Sequence, residues 1–288
     1  VLFWFVQLFV FIFVGALGFG IWFGFLDLKR WLVERQLIPV SDRLLHVSWG
    51  AAEVTKVIIL FFSTGILLNL ILAFFKLLLG FEFDSHLLIV THTLLVDLAA
   101  IFFIVLMVRN TGASLSDLGL SLPSVPYREV WLGIRTYFVI LPFFVGMLIL
   151  LIVLASWLAY EPPPHPLAEV LLEERSLSSW VVLFSFLIAC VVGPVVEEVF
   201  FRGFFYPAMR KYCGVRWTAV VTAAMFALVH ENLFSFLPIF FLGLVLCYLY
   251  EKRANLTSCI SLHVLHNTAF ILYFFLMKGV LLGEASIS

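Results

Sequence analysis

The sequence predicts an all-α fold, a polytopic transmembrane helical bundle of about eight spans, and three observations predict it. Of 288 residues, 64% are hydrophobic and only 12% are charged, with a mean hydropathy of +1.14. Soluble globular domains do not reach that balance. Most apolar runs approach or exceed the roughly 20 residues that a helix needs to cross a hydrocarbon layer about 30 Å thick. Strand-type alternation is absent, so helices, which close their own backbone hydrogen bonds, are the expected spanning unit rather than a barrel.

The expected spans are 1–26, 57–79, 87–108, 130–158, 180–201, 217–229, 234–250 and 256–277. The first run is too long for a signal-peptide core and reads as a true span. Because Val1 is not an initiator Met, the chain is expected to begin inside its gene product. Runs two to five are full crossings, six and seven are short, and eight closes the bundle. Without a heptad, solenoid period or low-complexity tract, residues 1–288 read as one membrane domain.

Cations orient the bundle, because short loops rich in Lys and Arg stay cytoplasmic. Twelve of the 17 fall after spans one, three, five and seven: Lys29, Arg30, Arg35, Arg43, Lys56, Arg109, Arg128, Arg210, Lys211, Arg216, Lys252 and Arg253. Only Lys76, Arg175 and Lys278 lie on the other side, while Arg135 and Arg202 lie within spans. Both ends are then expected outside. The acidic, Pro-rich loop from Glu161 to Ser178 reads as a lid or spacer.

Composition also excludes functions. A net charge of −1 offers no basic surface for nucleic acid. The abundance of Phe, Trp and Tyr excludes disorder. Cys190, Cys213, Cys247 and Cys259 have neither paired nor metal-type spacing and read as packing residues.

Ionisable groups inside spans are costly and mark function. Here they fall on three spans: Glu197, Glu198 and Arg202 on the fifth, His230 at the end of the sixth, and His263, His266 and Asn267 on the eighth. Counting about 1.5 Å per helical residue from the nearest cations puts Glu197, His230 and His263 at roughly 20, 21 and 15 Å. They share a level near the bilayer midplane, which implies a buried chamber that holds water. Glu198 and Arg202, at i and i+4, can neutralise one another and leave Glu197 as the free carboxylate, poised for proton transfer. His263 and Asn267 share one helix face and can donate toward a developing oxyanion. Pro194 can kink the fifth span and open room for substrate.

In this order, Glu197-Glu198-x-x-x-Arg202, Phe226-x-x-x-His230 and His263-x-x-x-Asn267 resemble the CAAX protease and bacteriocin-processing family, which includes the Ras-converting prenyl-protein endopeptidases. The resemblance covers 194–267. The first half adds only hydropathy and the loop Ser116-Asp117-Leu118-Gly119-Leu120. It implies a glutamate-dependent intramembrane endopeptidase without metal or other cofactor. Glu197 with His230 would activate water, His263 with Asn267 would stabilise the oxyanion, and Glu198 with Arg202 would support the site. The expected substrate is a membrane-bound peptide or lipidated protein, of which prenylated CAAX proteins are one class, reaching the site from the cytoplasmic side among membrane lipids.

The same residues admit competing readings. The polar groups can simply glue helices together. A zinc peptidase could use His230, His263 and Glu197, although His230-Glu231-Asn232-Leu233-Phe234 has Phe234 where the zinc-protease helix needs its second His. A non-catalytic immunity or scaffold protein would share the same fold. Glu231, His266, His92 and Asp97 have no position in the motifs.

Overall fold

The structure, a computed structural model, describes residues 2–34, 41, 44, 46–80, 85–120, 125–160 and 179–284. It is helical, with no strand among the described residues. In chain order the helices are α1 (Leu2–Glu34), α2 (Ala51–Leu79), α3 (Ser85–Asn110), α4 (Pro126–Trp157), α5 (Ser179–Leu187), α6 (Gly193–Glu198), α7 (Tyr206–Leu228), α8 (Leu233–Arg253) and α9 (Thr257–Glu284). π-helical turns at Ile188–Val192 and Val199–Phe205 join α5, α6 and α7 into one rod. The Pro-rich loop read as a lid lies outside the described residues.

Among the described residues, six helices rather than the eight expected spans are long and apolar enough to cross a membrane. The protein is an integral membrane protein, and the difference in count has two sources. The fifth and sixth spans run together as Val182–Leu228, 47 residues, which is twice one crossing. Inside that run Gly214 takes φ 67° and ψ 170°, a conformation open to glycine, and breaks α7 into two helices. The eighth span is α9, whose described side chains end at Tyr273, short of a full crossing.

Packing follows from the apolar surface. α1 and α2 leave Phe11, Trp22 and Leu70 exposed, as lipid-facing side chains should be. α4 packs between α1 and α9, α2 pairs with α3, and α7 with α8. The α7–α8 contact is close because Gly243 lies against Ala223, where a Cβ would come within 2.9 Å.

The loops after α1, α3 and α8 meet the Gly214 turn at one end. Lys211 Nζ donates to the Trp49 carbonyl at 2.7 Å, and Trp49 Nε1 donates to the Phe204 carbonyl at 2.9 Å. Arg210 pairs with Glu251 at 3.2 Å, both buried, and Glu251 also accepts from the Ser41 amide. Leu118 and Gly119 of the Ser116–Leu120 loop dock on Tyr250 and Leu256. Arg253 pairs with Glu129 at the start of α4. The cysteines are free, three of them buried.

Candidate active site

α6 is a single helical turn held out of ordinary register by the π turns on either side. Pro194 has no N–H to give the ladder, and in an α-helix its ring would clash with the carbonyl four residues back, that of Cys190. The wider turn before it relieves this clash: Gly193 N–H bonds Ile188 O, five residues back. Tyr206 N–H likewise bonds Phe201 O at the end of the second π turn. π-bulges of this kind recur at functional sites because they re-aim side chains.

Glu198 and Arg202 are completely buried, and Arg202 Nη1 donates to Glu198 Oε1 at 2.8 Å. Arg202 also donates to the Gly243 carbonyl at 3.3 Å, and its guanidinium lies 4.4 Å from the centre of the Phe226 ring. The charge therefore has a carboxylate, a carbonyl and an aromatic face around it, which an intramembrane cation requires.

His263 reaches the same carboxylate, with Nδ1 2.8 Å from Glu198 Oε1. An ionised carboxylate only accepts, so Nδ1 carries the proton and the ring orientation is fixed. Its Nε2 then faces Glu197 Oε2 at 3.6 Å, beyond a hydrogen bond. That Glu197 oxygen is buried without a hydrogen-bond partner, although the side chain as a whole is 34% exposed.

His230 stands at the C-terminal end of α7, where the last carbonyls lack helical partners. Its Nδ1 donates to the Phe226 carbonyl at 2.8 Å, which leaves Nε2 free. The buried Phe226 ring meets His230 edge-on at 5.1 Å and His263 at 5.6 Å between centroids. Asn267 donates its amide to the Ala189 carbonyl at 2.9 Å, inside the first π turn.

The structure thus brings Glu197, Glu198, Arg202 and His263 into contact, and joins His230 to them through Phe226. No hydrogen bond links His230 directly to Glu197 among the described residues. Asn267 contacts Ala189 rather than His263. Sequence reasoning missed the bond from His263 to Glu198 and the wedge role of Phe226, although Phe226 heads its motif one turn before His230. Asp97, half-buried on α3, lies within electrostatic reach of Glu197, whereas His92 turns to the Gly65 carbonyl at 3.4 Å. His266 packs between Tyr137 and Phe144. Among the described residues, no three His, Cys, Asp or Glu side chains converge as metal ligands.

These side chains lie in the part of the chain that comparison with known proteins picks out. Residues 179–269 match the family Type II CAAX prenyl endopeptidase Rce1-like. This Rce1-like segment holds both π turns, the Glu198–Arg202 pair, His230, His263 and Asn267. Two relatives are similar to the chain. UPF0177 protein YaiF of Lactococcus lactis subsp. lactis is 30% identical over 113 residues, which cover 38% of this chain and 49% of the relative. YdiL of Bacillus subtilis, named "Putative membrane peptidase", is 24% identical over 82 residues, which cover 28% of this chain and 34% of that protein. The matches span half or less of either relative. No solved structure matches.

Proposed function

We propose that the protein is an intramembrane endopeptidase that hydrolyses peptide bonds of membrane-associated substrates with a water activated by glutamate and histidine, without a metal. Residues 1–288 would act as one membrane domain. The observation that carries this reading is the Glu197 Oε2 to His263 Nε2 approach at 3.6 Å, within the Rce1-like segment and above the closed Glu198–Arg202 pair.

Glu197 takes the proton of water as the oxygen attacks the scissile carbonyl, and His230, with its free Nε2, is the second contact of that water. His263, held between Glu198 and Glu197, stabilises the oxyanion with its imidazole, and the Arg202 charge offsets Glu198. Asn267 has one amide hydrogen bonded to Ala189 and a second to offer the same oxygen. Collapse of the intermediate breaks the C–N bond, and the proton on Glu197 passes to the departing amine. Glu198 and Arg202 position His263 and do not touch substrate.

Helical rise counted from the basic end supports a site near the bilayer midplane. The cation-rich loops meet at one end, and this supports substrate entry from the cytoplasm. Prenylated CAAX termini are the substrate class that the matched family's name points to.

A cleavage assay in membranes on prenylated and unprenylated peptides tests the reading. Wild type should cut, and Glu197→Gln and His230→Ala should lose about 10²-fold or more in kcat. Full function in Glu197→Gln would favour a non-catalytic immunity or scaffold role. Stoichiometric zinc whose removal abolishes activity would favour the zinc peptidase.

A further inference from the structure

A cavity of about 290 Å³ lies between α7 and α8 at the basic end of the bundle, and none of the residues of the candidate active site lines it. It forms where the break at Gly214 turns α7. Tyr206 precedes the break, Arg216, Ala219 and Val220 follow it, and Tyr248 and Glu251 of α8 complete the wall. Val220 and Tyr248 are exposed, so the cavity opens to the outside of the bundle.

Two polar side chains in this wall lack part of their hydrogen bonding. Tyr206 is 0% and Glu251 1% exposed, and the Tyr206 hydroxyl and Glu251 Oε2 have no hydrogen-bond partner. Glu251 Oε1 accepts from Arg210 and from the Ser41 amide, so the carboxylate's charge is met while its second oxygen is not. Buried polar atoms are costly without a bond, and a ligand that supplies one accounts for them. At the mouth the charge has the opposite sign. Arg216 lines the cavity, Lys252 Nζ lies 5.7 Å from the centre of the Tyr248 ring, and neither cation has a carboxylate partner among the described residues. Tyr212 and Trp217 are exposed on the same stretch, as aromatic side chains at a membrane interface are.

We propose that this cavity binds the headgroup of one phosphatidylglycerol molecule of the surrounding bilayer. The phosphate meets Arg216 with Lys252 nearby, a glycerol hydroxyl donates to Glu251 Oε2 and reaches the Tyr206 hydroxyl, and the acyl chains leave over Val220. Arg210 already neutralises Glu251, so the unmatched charge at the mouth is positive and favours an anionic lipid over a zwitterionic one. A choline head has no donor for Glu251, and a serine head would set a second carboxylate beside it. A volume of about 290 Å³ takes a phosphoglycerol head and leaves the chains in the bilayer. The bound lipid ties the segments before and after Gly214 to α8, whether or not the chain cleaves peptides.

Native mass spectrometry of the delipidated full chain in detergent tests this, with phosphatidylglycerol, phosphatidylcholine, phosphatidylethanolamine and phosphatidate added in equal amounts. Phosphatidylglycerol should be retained about tenfold over phosphatidylcholine. Arg216→Gln should cut that preference about fivefold by removing the charge. Tyr206→Phe deletes only a hydroxyl that bonds nothing in the protein, so the lipid-free Tm should stay level or rise slightly while the preference falls about threefold. Retention of phosphatidylcholine or phosphatidylethanolamine equal to that of phosphatidylglycerol would overturn the proposal. So would equal retention of phosphatidate, which has the charge without the glycerol hydroxyls, or a preference that survives both substitutions.

Discussion

His263 and Glu198 meet at 2.8 Å across 65 residues of chain, and the carboxylate oxygen they share also takes the Arg202 guanidinium. One buried oxygen thereby ties α9 to α6 and sets which nitrogen of His263 faces Glu197. Stability and geometry of the site depend on the same three side chains.

Removing Arg202 should expose that dependence. Arg202→Ala leaves Glu198 buried with no guanidinium, which costs roughly 3–5 kcal/mol for a buried pair broken on one side. Thermal unfolding in detergent should show a large drop in Tm, and the double change Glu198→Gln with Arg202→Met should recover part of it, since neither charge is then stranded. A Tm for Arg202→Ala equal to wild type would contradict the buried pair.

The α7–α8 seam makes a second prediction. A Cβ added to Gly243 would come within 2.9 Å of Ala223, and the Gly243 carbonyl accepts from Arg202. Gly243→Val should therefore destabilise by about 1–3 kcal/mol through overpacking and lower activity by displacing Arg202. Gly146 on α4 meets open space, so Gly146→Ala should keep or slightly raise Tm, as Ala is the better helix former.

Much of this architecture was legible in the sequence. Charged residues stand out in apolar runs, and the i, i+4 spacing of Glu198 and Arg202 fixes their pairing without tertiary information. Counting along helices gives depth but not rotation about the axis, so it placed Glu197, His230 and His263 at one level without finding that His263 turns to Glu198. The π turns were not legible either: Pro194 signals a local fault in the ladder, but whether a kink or a wider turn absorbs it depends on packing against α3 and α9. The break at Gly214 separates spans five and six where expected, yet the helices continue to its edges, so that the pair reads as one long helix.

Asn267 supports a third prediction, because its amide points at a carbonyl. Asn267→Asp would set a carboxylate against Ala189 O in place of a donor, whereas Asn267→Ala removes the bond and leaves the carbonyl alone. The loss in stability should rank Asp above Ala, with roughly 1–3 kcal/mol for Asp from a half-buried acceptor facing another acceptor. Melting curves of the two variants check the order, and Ala more damaging than Asp would argue that a water or a shifted side chain replaces the bond to α5's π turn.

Pro194 tests whether the π turn matters for more than shape. With an N–H restored and the ring removed, Pro194→Ala allows Ile188–Val192 to tighten into α-helix and to take up the extra residue of the bulge. Residues downstream would then rotate by about 100°, one helical position, relative to α5. Glu198 cannot follow that rotation while it holds Arg202 and His263, so the strain should fall on the approach of Glu197 to His263. We expect Pro194→Ala to keep Tm near wild type, since a helix-breaking residue has been replaced by the best helix former. Activity on the same substrate should fall by about 10²-fold, the scale of a misplacement of roughly 1 Å at a reacting group. Unchanged activity together with unchanged Tm would show that the bulge is held by the packing of α3 and α9 alone and that Pro194 plays no part in aiming Glu197.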